Sequence, residues 1–186
     1  DLIYPLSQHI GAPAVPVVKK GDQVLKGQMI AEAGGFVSAP VYSSVSGKVK
    51  ALEKHFNPTG TKVDCIVIQN DGEYQEAEYA PVKPLNEMTR EEIISKIGDA
   101  GIVGMGAGFP TRVKLSPKDA DKIEYIIANC AECEPYITAD YRRMLEYTED
   151  LVSGMRVILS LFPNARGIFA VEDNKKDCIQ KLQDAV

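Results

Sequence analysis

Residues 13 to 70 are cut into short apolar runs by glycine turns, and this punctuation sets the tightest limit on what the chain can fold into. The turns are Lys20-Gly21-Asp22, Lys26-Gly27, Gly34-Gly35, Ser46-Gly47 and Asn57-Pro58-Thr59-Gly60. Many short strands with close turns predict a small all-β barrel or sandwich. Within it, Val63, Cys65 and Val67 alternate with Asp64, Ile66 and Ile68, which predicts a strand with one face more buried than the other. The character changes after residue 70. Asp71, Glu73, Glu76 and Glu78 are acidic, and Pro81 and Pro84 stiffen the chain beyond them, so residues 71–85 read as a linker. The expected division is a β domain over 1–70, the linker, and an α/β domain over 86–186 that is incomplete at its C-terminus.

From residue 86 the apolar period becomes helical. Thr89-Arg90-Glu91-Glu92 fits a capping box, with Thr89 as N-cap and Glu92 reaching back. Ile93, Ile94 and Ile97 then share one face, and Gly101 suits the C′ position. A strand is expected over 123–128, a loop over 129–136 ending at Pro135, helices over 138–146 and 151–162, and a second strand over 166–171. Asp173 is expected to cap a last helix that carries Cys178, Ile179 and Leu182. This order predicts a mostly parallel sheet, and ligands of such sheets gather at the carboxyl ends of the strands. The loop at 129–136 lies at such an end.

Between helix and strand stands Gly101-Ile102-Val103-Gly104-Met105-Gly106-Ala107-Gly108-Phe109-Pro110-Thr111-Arg112-Val113-Lys114, with four glycines in eight residues. Glycine lets a backbone take positive φ and approach a ligand closely. Exposed N–H groups in such a loop suit phosphate, and Lys114 adds a positive charge. The stretch is not a Walker loop, because no Gly-Lys-Ser/Thr follows at the required spacing. It is not a clean dinucleotide fingerprint either, since Phe109 and Pro110 stand where a helix should begin. From spacing alone, a phosphate loop and a simple glycine-rich turn both remain open.

A net charge of −5 argues against nucleic acid and against an anionic lipid surface as partners. No apolar run approaches the length of a membrane span, and no signal peptide is visible at the N-terminus. Four cysteines, at 65, 130, 133 and 178, are too few and too uneven for a disulfide framework, which points to a reducing cytoplasm. Cys130 and Cys133 are two ligands without a third or fourth, so structural roles are preferred to a metal site, and no metal ligand or catalytic side chain is assigned. Cys65 and Cys178 sit in apolar patterns and read as buried hydrophobes. His9 and His55 are unpaired and read as surface or turn residues. The chain starts inside a proline-containing segment and stops in a helical pattern at Val186, so it is expected to be a piece of something longer.

Two resemblances add to this reading. Gly21-Asp22-x-Val24-x-x-Gly27-Gln28-x-Ile30-Ala31-Glu32-Ala33, with Ala39-Pro40 and Ser46-Gly47-Lys48-Val49, resembles the two halves of biotinyl and lipoyl carrier domains, and implies their barrel-sandwich hybrid fold. The carriers place a modifiable lysine at the hairpin tip. Here the tip is Gly34-Gly35-Phe36, so no swinging arm is expected. Gly104-Met105-Gly106-Ala107-Gly108-Phe109-Pro110-Thr111 with Lys114, Asn129-x-x-Glu132-Cys133-Glu134-Pro135-Tyr136, and the opening Pro5-Leu6-Ser7-Gln8-His9-Ile10-Gly11-Ala12-Pro13 resemble the C subunit of the Rnf electron-transport complex. That family is related to the flavin subunit of respiratory complex I, and the likeness covers essentially the whole chain.

This second resemblance implies FMN and NAD(H) as cofactors. Gly104, Gly106 and Gly108 would supply the backbone face of the flavin site, and Lys114 would pair with an anionic or carbonyl oxygen of FMN. Phe109 matches an aromatic that stacks on adenine. Asn129 and Glu132 fall on the polar loop around the flavin, and Glu134 matches the acid that meets the nucleotide's hydroxyls or amide. The family loop usually has one glycine more, so the nest here presents different N–H groups. Ala131 replaces an aspartate of complex I, and Pro117 replaces a second aromatic. Two four-iron clusters belong to a C-terminal part of the family that lies outside this chain. The implied function is an electron-transfer subunit of a membrane-bound ferredoxin:NAD⁺ oxidoreductase. It would be peripheral on the cytoplasmic face, without a span of its own, with other Rnf subunits as partners and ferredoxin reached through the complex. The alternatives are a soluble relative such as cobalamin reductase, or a docking module with a vestigial flavin site. Because these residues make only part of a flavin site, the 186-residue chain alone is expected to be colourless.

Overall fold

The computed structural model describes residues 1–104 and 108–186. The chain forms two compact units, Asp1–Ser116 and Pro117–Val186.

The first unit is built on glycine-punctuated strands, all antiparallel. β1 (Leu2–Pro5), β7 (Lys62–Asn70), β6 (Gly47–Phe56) and β3 (Gln23–Val24) form one sheet in that order, and β2 (Val15–Pro16), β4 (Met29–Glu32) and β5 (Val41–Tyr42) form another. Gly47, at φ +152, shows why glycine is required at the start of β6: a Cβ there would lie 2.0 Å from the Gln69 carbonyl oxygen. Val24, Ile30, Val41, Val49, Ile66 and Ile68 are buried in one core. The expected one-sided alternation along β7 is not observed. Cys65, Ile66, Val67 and Ile68 are all buried, so both faces of β7, which lies between β1 and β6, are covered there. A strand in the middle of a sheet can be covered on both faces and then reads as a continuous apolar run.

The acidic segment after β7 lies along the β unit. Lys26 and Glu76 form an isolated bridge and an ion pair of 2.7 Å, and the Tyr79 hydroxyl donates to the Gly27 carbonyl at 3.1 Å. Helix α1 (Arg90–Asp99) then begins with the capping box. The Glu92 N–H donates to Thr89 Oγ1 at 3.2 Å, and the Thr89 N–H donates to Glu92 Oε2 at 2.9 Å. Gly101 ends the helix at φ +68, a conformation that costs glycine little. The short helix α2 (Thr111–Lys114) follows the glycine stretch.

In the second unit β8 (Tyr125–Asn129) and β9 (Arg166–Ala170) form a two-stranded parallel sheet, with Ile127 opposite Ile168. Helices α3 (Ala139–Glu146), α4 (Thr148–Leu159) and α5 (Lys176–Ala185) complete it. Met144, Val152, Cys178 and Leu182 form its core, with Ala128 and Phe169 packed against them. Helix α4 starts and stops one turn earlier than expected. Glu149 and Asp150 occupy its first turn, where carboxylates favour the helix dipole. Pro163 disfavours helix at the residue before it, and Leu161 and Phe162 bond back to Ile158 and Leu159 in a tighter turn. Asp173 does not cap α5. A turn closed by the Lys175 N–H on the Glu172 carbonyl places the N-cap at Lys175.

Candidate functional site

The sequence-derived site residues divide between the units: Gly104, Gly108, Phe109 and Lys114 in the first, Asn129, Glu132 and Glu134 in the second. Gly106 lies outside the described residues.

In the first unit the two flanks of the glycine stretch are held together. Val103 bridges Pro110, and the Thr111 N–H donates to the Ile102 carbonyl at 2.9 Å. The Gly104 N–H donates to the Phe109 carbonyl at 2.8 Å, and the Gly108 N–H to the Gly104 carbonyl at 2.7 Å. Those two donors are therefore spent inside the loop. The glycines also do different jobs. Gly108, at φ +58, sits against the N-terminal segment, where a Cβ would come within 3.3 Å of His9 Cα. Its carbonyl accepts from the Ile10 N–H at 3.0 Å. Gly101 packs on the Pro40 carbonyl, 3.1 Å from where its Cβ would be. Gly104 alone of these faces the charged group: a Cβ there would lie 3.0 Å from Lys114 Nζ. Lys114 is exposed, its ammonium stands 5.9 Å from the centre of the Phe109 ring, and among the described residues no carboxylate pairs with it. An ammonium, an aromatic ring and the Cβ-free backbone of Gly104 thus lie near one another.

Two residues around this loop escaped the sequence reading. His9 is more than a turn residue: its Nε2 lies 3.0 Å from both the backbone nitrogen and the carbonyl oxygen of Ala39, and its Nδ1 lies 3.2 Å from the Ile10 carbonyl oxygen. The Arg112 guanidinium donates through Nη2 to the carbonyls of Gly35 and Phe36, at 2.8 and 3.1 Å. Nothing in the spacing pairs Arg112 with that tip.

In the second unit the polar loop leaves the carboxyl end of β8. Asn129 Oδ1 accepts from the Ala131 N–H at 3.2 Å, which bends the chain. The Glu132 side chain is only 4% exposed. Its carboxylate accepts from the N–H groups of Asp140 and Tyr141, at 2.8 and 3.3 Å. Glu132 therefore serves the N-terminus of α3, where positive partial charge collects. Lys175 Nζ approaches the same carboxylate at 3.8 Å and lies 4.8 Å from the centre of the Tyr141 ring. The parallel register places the loop after β9, and Lys175 with it, at the same end as the loop after β8. Glu134 is exposed, and Tyr136 is fully exposed at φ +65. The Tyr141 hydroxyl donates to Asp177 at 2.5 Å, which holds the Asp177 carboxyl below the usual carboxylate range. Burial pushes the thiols of Cys130 and Cys178 up. A groove of about 590 Å³ between α4, β9 and α5 is lined chiefly by apolar side chains such as Met155, Leu159 and Phe169. It holds none of the residues singled out for cofactor chemistry.

Residues 1–73 match the family described as the RnfC barrel sandwich hybrid domain, and residues 97–186 match the Nuo51 FMN-binding domain. The chain is 44% identical over 186 residues to the C subunit of the proton-translocating ferredoxin:NAD(+) oxidoreductase complex of Clostridium ljungdahlii, covering 99% of this chain and 41% of that protein. It is 43% identical over 187 residues to the C subunit of the Na(+)-translocating ferredoxin:NAD(+) oxidoreductase complex of Acetobacterium woodii, covering 100% of this chain and 42% of that protein. It is 40% identical to the C subunit of the ion-translocating oxidoreductase complex of Serratia proteamaculans, covering 99% of this chain and 26% of that protein. The chain thus spans about two-fifths of the length of the first two relatives and about a quarter of the third. A barrel-sandwich hybrid followed by an FMN-binding domain, with whole-chain identity to these subunits, places the chain in the family of Rnf complex C subunits, as their N-terminal part.

Proposed function

We propose that this chain is the cofactor-binding part of an electron-transfer subunit in a membrane-bound ferredoxin:NAD⁺ oxidoreductase of the Rnf type, with FMN and NAD(H) as its ligands. The observation that carries the reading is the meeting of Lys114, Phe109 and the Cβ-free backbone at Gly104. In this reading Lys114 neutralises an anionic or carbonyl oxygen of FMN, Gly104, Gly106 and Gly108 offer backbone, and Phe109 stacks on adenine. Asn129 shapes the polar loop, and Glu132 fixes that loop to helix α3. Glu134, exposed on the loop, meets the nucleotide's hydroxyls or amide. FMN supplies, when bound, the exchange of a hydride with the nicotinamide and the onward delivery of single electrons. The residues of this chain bind, orient and tune.

The functional division we assign is a barrel-sandwich hybrid over 1–70, a connecting segment over 71–85 and the flavin and nucleotide domain, with a mostly parallel sheet, from 86 onward. The partners are the other subunits of the complex, with ferredoxin reached through them, and the place is the inner face of the cell membrane. Among the described residues no helix is long and apolar enough to cross a membrane. A second reading, a docking module with a vestigial flavin site, draws on one observation: the N–H groups of Gly104 and Gly108 are already spent within the loop.

The test is Lys114→Met in protein purified from its native host. Losing a charge-assisted hydrogen bond should weaken FMN retention by about 1.5–3 kcal/mol. Flavin content after extensive dialysis reads this directly. Unchanged content would remove Lys114 from the site, and a wild type without flavin would favour the docking module.

A further inference from the structure

We propose that Arg112 is a positioning residue for the glycine loop, clamping it to the hairpin tip of the β domain where a carrier of the same fold would bear its modified lysine. The tip is not held by burial, since Phe36 is 69% exposed. Its carbonyls are held by the guanidinium, with Nη2 donating to both Gly35 and Phe36. The stem of Arg112 is fixed on the other side by α1. Gly98 is buried there, and a Cβ on it would stand 2.7 Å from Arg112 Cδ. Arg112 Nε is buried with no acceptor among the described residues, so the side chain is held by its packing and its Nη2 bonds.

The clamp acts on the candidate site through short covalent links. Arg112 lies one residue after Thr111, whose N–H closes the loop on Ile102, and two residues before Lys114. Three further stitches join the loop and α1 to the β domain and its N-terminal segment. The Ile10 N–H meets the Gly108 carbonyl, Gly101 rests on the Pro40 carbonyl, and the Tyr42 hydroxyl meets the Asp99 carbonyl. Those three stitches use backbone or a lone hydroxyl. Among the described residues Arg112 alone grips two tip carbonyls with one charged group, and hydrogen bonds from a charged donor are the strong ones. The tip of the β domain thus becomes the anvil for the loop that carries Lys114 and Phe109. The assignment of that loop to FMN rests on the function proposed above. The clamp itself does not.

Amide hydrogen exchange in the 186-residue chain tests the clamp without any flavin. Arg112→Met should speed exchange at Gly104, Gly108 and Thr111, all hydrogen-bonded within the loop, on the order of tenfold, while Ile66 and Ile68 in the core keep their rates. Arg112→Lys, which keeps one charged donor, should rescue part of the effect. Gly98→Ala should loosen the loop in the wild-type background and have far less effect in an Arg112→Ala background, because Arg112 Cδ, 2.7 Å from where its methyl would stand, is then gone. In the host-purified protein, Arg112→Met should also lower FMN affinity about tenfold. Unchanged loop exchange in Arg112→Met overturns the clamp, whatever the flavin does. Faster exchange with unchanged FMN affinity keeps the clamp and overturns the assignment of the loop to FMN.

Discussion

The two units solve the problem of burying a sheet in opposite ways. In the first, two antiparallel sheets cover one another, and Ile30, Val49, Ile66 and Ile68 are 0% exposed. In the second, helices cover only one face of the parallel pair. Ile126, Ala128 and Phe169 turn inward, while Tyr125, Ile127 and Ile168 stay 54%, 61% and 41% exposed. Parallel sheets occur almost only with both faces covered. The first unit therefore holds its own hydrophobic stabilisation, and the second leaves part of its apolar surface in water. The candidate site follows the same division. Its glycine loop is stitched to a closed β domain, and its polar loop hangs from a half-covered sheet and is held by one buried carboxylate.

The comparison breaks most visibly at matched isoleucines. Ile66→Ala in the first unit should cost about 2–5 kcal/mol, the range for a buried large-to-small change. Ile127→Ala, the same change on the bare face of the second, should stay within about 0.5 kcal/mol. Denaturant unfolding followed at each unit measures both. Equal costs would mean that the bare face is buried in solution.

A smaller effect is expected at Glu132. Replacing it with alanine removes the acceptor for the Asp140 and Tyr141 N–H groups and should destabilise the second unit by about 1–2 kcal/mol, the scale of a lost helix cap. The transition of the first unit should not move. If it moves equally, the two units unfold as one.

The smallest effect is a pH dependence. Asp71 in the first unit is held below the usual carboxylate range by the Ser46 hydroxyl, then by the Glu73 N–H, and Asp177 in the second by the Tyr141 hydroxyl, then by the Cys178 N–H. A carboxyl depressed in the folded state contributes stability above its unfolded value near 3.8, and loses it as pH falls through the folded value. Each unit should therefore weaken below about pH 4. Asp71→Asn should flatten the acid limb of the first unit only, and Asp177→Asn that of the second only. Acid titrations of the two variants that cross over between units would contradict these assignments.

Local features were legible in the sequence. The capping box of α1 needs only residues three apart, and it forms as read. Gly101 as a helix stop and the strand–helix order of the second unit are local in the same sense. The features that were not legible depend on distant partners. The burial of Cys65 to Ile68 on both faces depends on what packs over each face of β7, which its own alternation does not encode. Asp173 looked like a cap because its residue type favours one, but the turn at 172–175 decided the helix start. Glu132 finds its partners eight and nine residues away, and Arg112 finds its own 76 and 77 residues away. Of the candidate site, the two loops and their residue types were read from the sequence. It did not show that Gly101 and Gly108 serve packing while Gly104 faces the lysine.

The central claim is that the loop bearing Lys114 binds FMN, and titration of FMN into flavin-stripped protein from the native host tests it most directly. Flavin fluorescence should quench saturably with one FMN per chain, and Lys114→Met should shift the curve by roughly 10- to 150-fold, the ratio that 1.5–3 kcal/mol represents. Linear, unsaturable quenching in the wild type, or curves that superimpose, would contradict it.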